Sequence, residues 1–506
     1  MPRNIVHDSL NTAPVLRGHF RIDIVVRAAL CLLTVLLLVS IFPRFNLRFL
    51  APVALTPLLI ALAKTPRAGQ RFIYGWGTGI VYWFFLCTWI QFVLQVHAAM
   101  GVWGGWGSFL VFCILKGLHM ALFSLLAGPL MNRAYAIPAV AALWTGLERT
   151  HGTFGFAWLA LGNAGIDMSV PLRLAPYVGV YGLSFVFCML AVALALVILR
   201  RPRLQIAPLA ALPLLWLLPA IPQHFVTDHR AVVVQPNLDP EIDWTPGMLE
   251  SEESRLVLLS QVVPAPLVIW PELPAPLYFY SDPAFHREAQ EIAIQHGYFL
   301  FGTVTMNSQG EPLNSAVVLG PQGQEIGHYD QIFLVPFGEF TPPMFSWVNR
   351  ITHESGDFVP GSHVQVTKMG DQRVGTFICY ESAFPHLVRQ FSKDGANVFI
   401  NISNDGYFGH SEARQQHLLL VRMRAVENRR FIVRSTNDGI TAVINPAGRI
   451  IKALPPYQLL ASPVQYGLVS QTTFYAEHGD WFAWGCLAIG VTLGALLLWR
   501  ASRESA

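Results

Sequence analysis

Charge is what this chain has least of. Only 13% of its 506 residues are Asp, Glu, Lys or Arg, while 53% are hydrophobic. A soluble protein of ordinary composition is about a quarter charged, so this balance excludes both a simple soluble globule and a disordered chain and points to a membrane. No basic stripe, glycine-rich phosphate loop or metal-ligand spacing occurs. Nucleic acid is therefore not an expected partner, and no cofactor or metal is expected. Cysteine is nearly absent from the polar part of the chain. Five of the six (Cys31, Cys87, Cys113, Cys188 and Cys486) lie in long apolar runs, where a thiol is usually a small hydrophobe, and only Cys379 stands outside them. A lone cysteine excludes an internal disulfide in that region and leaves a reactive thiol or an inert buried one. Lysine is almost as rare there, with only Lys368, Lys393 and Lys452 between residues 225 and 478.

The apolar residues come in runs near 24–43, 49–63, 73–95, 108–131, 135–147, 172–199, 206–221 and 481–499. Most approach the ~20 residues needed to cross a bilayer, and the second, fifth and seventh are short. The expected organisation is an α-helical membrane domain of about seven transmembrane helices over residues 1–224, an extracytoplasmic domain over 225–478, and a last transmembrane helix with a short tail over 479–506. Lys and Arg gather in cytoplasmic loops. With eight spans, Arg3, Arg17, Arg21, Lys64, Arg67, Arg71, Arg133, Arg200, Arg201, Arg203, Arg500 and Arg503 all fall on one side, against Arg44 and Arg48 on the other. That side is the cytoplasm, which places 225–478 outside. The first apolar run reads as a retained anchor, having no small-residue cleavage site behind it.

Within 225–478 the period alternates between short β-rich runs and helices. Strands are expected at 231–235, 266–270, 298–304, 315–320, 374–380, 397–403, 431–436 and 441–445, and helices at 247–262, 283–296, 384–394 and 411–428. Strands such as PLVIW and NVFINI are apolar throughout, which implies sheets covered on both faces. The fold class is α/β, or a layered α-β-β-α sandwich. Three strands end in polar residues: Glu272 after PLVIWP, Cys379 to Glu381 after TFI, and Asn404 with Asp405 after FINIS. Ligand chemistry in open α/β sheets gathers at such carboxyl ends, so these residues are expected to converge.

The motifs IWPE (269–272), LVPFGEF (334–340), ICYE (378–381), NISND with YFG (401–409) and the segment 416–450 occur in the order of a known family. The chain resembles the nitrilase superfamily, in particular its membrane branch, the apolipoprotein N-acyltransferases. GFAWLALGNAG (155–165) and LAPYVGVYGLSF (174–185) resemble that branch's membrane segments. The resemblance implies an eight-span protein of the bacterial inner membrane, acting as a monomer, with an α-β-β-α nitrilase-like domain facing the periplasm. It implies transfer of an acyl chain from a glycerophospholipid, usually phosphatidylethanolamine, to the α-amine of a diacylglyceryl-cysteine on an apolipoprotein. Cys379 matches the family nucleophile, which forms a thioester, and Glu272 matches the base. Glu339, Tyr380 and Glu381 match residues that support the site, and Trp244 an aromatic position beside the lipid.

One position departs from the pattern. Where the family has a catalytic lysine, eight residues before Glu339, this chain has Gln331. An amide donates hydrogen bonds but carries no charge. Losing one preorganised oxyanion donor costs ~3 kcal/mol, about a hundred- to thousand-fold in rate. Three readings stay open: a slow enzyme in which Gln331 substitutes in part, a non-catalytic lipid- or lipoprotein-binding relative, or a chain in which another cation such as His328 takes the place of lysine. A membrane-tethered amidase or nitrile hydrolase is a further alternative. The segments 273–280, 332–337 and 341–348 are aromatic enough to dip into the membrane interface as mobile loops. Glu148, Arg149 and His151 are expected to cap a helix in the headgroup zone, Lys116 and His119 to have no paired pathway, and the histidines as a group to lie on surfaces or loops.

Overall fold

The computed structural model describes residues 13–504, apart from 154, 240, 241, 243, 337 and 341–357. Segment 341–348 therefore lies outside the described residues. The first part of the chain is helical: α1 (Ala13–Ser40), α2 (Thr56–Ala63), α3 (Ala68–Leu86), α4 (Trp89–Val96), α5 (Gly101–Leu130), α6 (Ala136–Thr153), α7 (Ala175–Val178) and α8 (Val180–Ile198).

Four described helical segments are long and apolar enough to cross a membrane: Asp23–Ser40 of α1, α5, α8 and Trp481–Arg503 at the far end of the chain. The α3–α4 pair, bent by 67°, makes a fifth if the two count as one span. This is fewer than the eight expected from apolar runs. The backbone explains two of the missing spans, the second and the seventh, because proline removes a helix donor and clashes with the preceding turn. The second run is split into a 3-10 turn holding Pro52 (Arg48–Val53) and the eight-residue α2. The seventh is 3-10 throughout (Arg203–Leu217) and holds Pro208 and Pro213.

Among the described residues the polar domain has twelve strands in two six-stranded sheets. The first contains β1 (His229–Gln235), β2 (Leu267–Ile269), β3 (Tyr298–Met306), β4 (Pro312–Leu319) and β5 (Glu325–Asp330). The second contains β6 (Val366–Met369), β7 (Gln372–Ile378), β8 (Val398–Ser403), β9 (Ile432–Thr436), β10 (Ala442–Ile444) and β11 (Ile450–Ala453). The chain then returns through β12 (Leu460–Tyr466) to the first sheet, giving the orders β12-β1-β2-β3-β4-β5 and β11-β10-β9-β8-β7-β6. Pairing is parallel for β1-β2-β3 and for β7-β8-β9.

Ala231, Val233, Ile269 and Leu300 of one sheet share a core with Val398, Ile400, Ile402 and Val433 of the other. Burying each such Val, Leu or Ile contributes about 1.5–3 kcal/mol. The outer face of the first sheet (Val232, Val268, Phe299) packs under α9 (Pro246–Gln261) and α10 (Pro283–His296). Val388 and Phe391 of α11 (Pro385–Lys393), with Val421 and Ala425 of α12 (Ala413–Asn428), join the core of the second sheet. The layers are thus α-β-β-α, as expected. A short α13 (Phe474–His478) leads into α14 (Trp481–Glu504), which packs against α6.

The membrane helices and the sandwich share one apolar cluster. Tyr380, Phe384 and Phe408 of the polar domain lie in the same core as Trp83, Leu86 and Trp158. The segment 273–280 does not form a mobile loop, since Ala275, Leu277 and Phe279 are buried against Trp270 and Phe285. Residues 332–335 do face the membrane part, with Ile332, Phe333 and Val335 packed on the shared cluster.

Candidate active site

The parallel strands put their carboxyl ends on one side, where chain direction delivers one polar residue after each. β7 ends at Ile378, and Cys379 begins a 3-10 turn (Cys379–Ala383) with φ +46°. A non-glycine residue in that region stores roughly 1–3 kcal/mol of strain, so its surroundings must hold it there. Glu381 does part of this: its Oε2 accepts from Ile378 N at 2.8 Å. Asn401 of β8 donates to the Phe377 carbonyl at 3.0 Å. His417 of α12 supplies the strongest tie. Its Nε2 donates to the carbonyl oxygen of Cys379 at 2.9 Å, and its Nδ1 meets Asp405 Oδ1, also at 2.9 Å. Asp405 in turn accepts from Arg434 Nη2 at 2.8 Å on both oxygens. Arg434 and His417 hold the Asp405 carboxyl far below its ordinary range despite complete burial.

Glu272 reaches the site from the end of β2. Gly302 makes this approach feasible, because a Cβ there would lie 2.7 Å from Leu273 N and 2.8 Å from Glu272 Cα. The buried Glu272 carboxylate faces the Cys379 thiol. It accepts from Asn404 N (Oε2, 2.8 Å) and from Asn314 Nδ2 of β4 (Oε1, 2.8 Å). Burial first, and Glu339 second, push its carboxyl well above the usual glutamate range. Burial also pushes the Cys379 thiol up, and the neighbouring Glu272, Asp405 and Glu339 push it further. The thiol is therefore protonated at rest and needs a base at the moment of attack.

Gln331 follows β5 and is fully buried in the same cluster. Its Nε2 donates to Glu339 Oε2 at 2.9 Å and to the Phe333 carbonyl at 3.0 Å, and its Oε1 accepts from Asn314 at 2.7 Å. Glu339 also accepts from Asn314 (2.8 Å) and Val335 N (2.6 Å). Glu381 turns away from the sulfur to pin the loop after β5, accepting from Tyr329 Oη and Ile332 N at 2.7 Å each. Burial raises its carboxyl to about 7.

Tyr380 points toward the membrane part. Its hydroxyl donates to the Gly155 carbonyl at 3.2 Å, and its ring lies 6.3 Å from Phe156 and 6.4 Å from Trp158. Trp158 donates to Gln416 Oε1 at 2.7 Å, and Gln416 Nε2 donates to the carbonyls of Pro43 and Leu86. Six of the seven expected site residues thus fall in one connected cluster: Cys379, Glu272, Gln331, Glu339, Tyr380 and Glu381. Trp244 does not join it. It is half-buried against the α9–α10 side of the first sheet, and among the described residues no hydrogen bond or ring contact ties it to Cys379.

His328 does not replace a lysine. Alternate residues of β5 face opposite ways, and His328 pairs with Asp330 (2.7 Å) and Tyr280 (3.1 Å), away from Gln331. Lys368, Lys393 and Lys452 are exposed. Most histidines are expected on surfaces or loops; His417 is an exception, being wholly buried. Glu148, Arg149 and His151 lie in the last turns of α6, and the ionisable residues of this part have internal partners. Arg149 pairs with Asp480, Glu148 Oε1 accepts from Leu161 N at 2.7 Å, and Lys116 Nζ meets His151 Nδ1 at 2.6 Å, with the rings of His119 and His151 stacked 4.0 Å apart. Sequence reading also passed over Asn314, His417 and Arg434. The last two lie in a motif that carried the resemblance, and their signal was polarity on otherwise apolar elements.

A buried thiol facing a buried carboxylate, at the strand ends of a two-sheet sandwich, is the arrangement of a carbon-nitrogen hydrolase, and the model of that family (Carbon-nitrogen hydrolase) matches residues 231–472. The model described as Apolipoprotein N-acyltransferase N-terminal domain matches residues 35–193. The chain is 32% identical over 499 residues to an apolipoprotein N-acyltransferase of Geobacter metallireducens, covering 94% of this chain and 95% of that one. It is 33% identical to one of Azotobacter vinelandii, over 72% of this chain and 74% of the other. A crystal structure of an amidase from Nesterenkonia sp. aligns with 48% of this chain and 92% of its own, at 18% identity and a TM-score of 0.37. The chain belongs to the apolipoprotein N-acyltransferase family.

Proposed function

We propose that this protein transfers a fatty acyl chain from a glycerophospholipid, phosphatidylethanolamine being the expected donor, to the N-terminal amine of a diacylglyceryl-cysteine on an apolipoprotein. The observation that carries the reading is that Cys379 faces Glu272 while the next residue, Tyr380, stacks on the membrane segment 155–158. A water-soluble amidase has no use for that second contact, whereas two lipid-anchored substrates require it.

In the first half-reaction Glu272 takes the thiol proton and Cys379 Sγ attacks the ester carbonyl. The Sγ–C bond forms, the ester C–O bond breaks, and the departing alcohol oxygen recovers the proton. The lipidated amine then attacks the thioester carbonyl and gives its proton to Glu272; the C–N bond forms, the C–Sγ bond breaks, and the departing Cys379 thiolate takes that proton back, restoring thiol and carboxylate. Glu381 holds the loop that carries Gln331, and Glu339 shares Asn314 with the base. Trp244, distant from this cluster, is assigned no step.

We place the sandwich on the periplasmic face of a bacterial inner membrane, with the protein acting as a monomer. An eight-crossing topology is compatible with the short segments, because a 3-10 helix rises ~2.0 Å per residue. At that rise the 15 residues of Arg203–Leu217 extend about 30 Å, the thickness of the hydrocarbon layer. The test is N-acylation of a diacylated lipopeptide in phospholipid micelles, with intact-mass detection of the acyl adduct. The native chain should carry a phospholipid-derived acyl group on Cys379 and pass it to the lipopeptide, and Cys379→Ala should do neither. Release of free fatty acid without lipopeptide acylation would instead indicate a hydrolase, and binding without conversion a scaffold.

A further inference from the structure

Two carboxylates meet on one amide beside the sulfur, and among the described residues no cation accompanies them. Asn314 Nδ2 lies 2.8 Å from Glu272 Oε1, 2.8 Å from Glu339 Oε1 and 2.7 Å from Gln331 Oε1. An amide nitrogen has two hydrogens, so it serves two of these three oxygens. The remaining donors of the cluster are already engaged elsewhere: Asn404 N on Glu272 Oε2, Val335 N and Gln331 Nε2 on Glu339 Oε2. Turning over either amide would set its oxygen against carboxylate oxygens. Among the described residues no Lys, Arg or His forms an ion pair with either glutamate.

The groups facing the pair are Cys379 and Tyr407, both neutral at rest, and Asp405 behind them, whose charge Arg434 and His417 engage. Glu381 lies across the loop after β5, held by Tyr329 and backbone N–H groups. Two adjacent buried carboxylates with no counter-charge among the described residues bind a proton between them.

We propose that Glu272 and Glu339 share one proton, that Asn314 is the residue that holds the pair together, and that Glu339 is a positioning residue whose carboxylic acid form stands in for a missing ammonium. Burial raises both carboxyls, and Glu339 pushes that of Glu272 further up, in support of this. With the shared proton on Glu339, Glu272 stays a carboxylate and accepts the thiol proton, and the site keeps a single negative charge as the thiolate forms. The Glu339 proton is not consumed in the acyl transfer described above.

The consequence for catalysis rests on the acyl-transfer reading, but the shared proton does not, and its test needs no turnover. Infrared titration of the full-length chain in phospholipid nanodiscs reads the C=O stretch of a buried carboxylic acid. Subtracting spectra of variants cancels the other buried acids, Glu381 among them. The native chain minus Glu339→Gln should show one carboxylic acid band at neutral pH that disappears on alkaline titration. Gln331→Lys brings an ammonium into the cluster and should abolish that band at neutral pH. In the same variant the pH profile of Cys379 alkylation by iodoacetamide should move down by at least about one unit, a tenfold change in proton affinity. A band of equal strength in the native chain and in Gln331→Lys, or no such band in the native chain, overturns the proposal. If Glu339→Gln does not fold, the comparison of the native chain with Gln331→Lys decides alone. A band behaving as expected in a protein that forms no acyl adduct would leave the shared proton standing and remove the acyl-transfer reading.

Discussion

His417 reaches the carbonyl oxygen of Cys379 at 2.9 Å while its other ring nitrogen meets Asp405. The nucleophile's strained backbone is thus held from behind by a buried polar chain, not by the groups that react.

Replacing His417 with Ala removes that hold and leaves Asp405 with one partner fewer. We expect thioester formation to fall at least about tenfold and the protein to lose roughly 1–3 kcal/mol, the cost of stranding a buried polar group. Intact-mass kinetics and thermal unfolding measure the two effects separately. Unchanged acylation would show that the Cys379 turn holds itself.

Gln331→Lys should raise acyl transfer at least about tenfold, through a restored charged donor beside the base. Lipopeptide acylation measured against the native chain decides it, and a variant no faster than native would remove Gln331 from any account of rate.

Gly302→Ala should disable the enzyme without touching a reactive group. The added carbon would come within 2.8 Å of Glu272 Cα and of the Pro271 carbonyl, so the turn bearing the base must shift. A displacement of about 1 Å is enough to cost on the order of a hundredfold. Equal rates for Gly302→Ala and native would show that the turn yields freely.

Stability should decline with rising pH. Burial raises the Glu381 carboxyl from 4.5 to about 7, and the Glu272 and Glu339 carboxyls are raised in the same direction. The folded chain therefore holds these protons more tightly than the unfolded one. Their contribution is complete below about pH 4.5 and is lost as pH climbs through about 7. For Glu381 this amounts to about 3 kcal/mol at most. Unfolding temperatures near pH 5.5 and 8.5 should differ with the lower pH more stable, and Glu381→Gln should flatten the difference. The opposite slope would mean these carboxyls are ionised in the fold.

The eight expected strands are the interior strands of the two sheets. All four that escaped notice, β5, β6, β11 and β12, are the sheet edges. Edge strands are short and polar because one side is unpaired, so they lack the apolar run that marks a covered strand. The second and seventh runs misled for a different reason: composition records hydrophobicity but not the breaks at Pro52, Pro208 and Pro213. Glu272, Cys379 and Asp405 were legible because parallel strands deliver their terminal residues to one place. Asn314 was not, since an asparagine within β4 gives no sign of which side chains lie across from it.

Gln416 and His417 are consecutive residues of α12. One is fastened to the carbonyl of Leu86, where α3 breaks, and the other to the carbonyl of the nucleophile. A single helix therefore acts as a strut between the end of α3 and the reactive sulfur, joining the two through adjacent side chains.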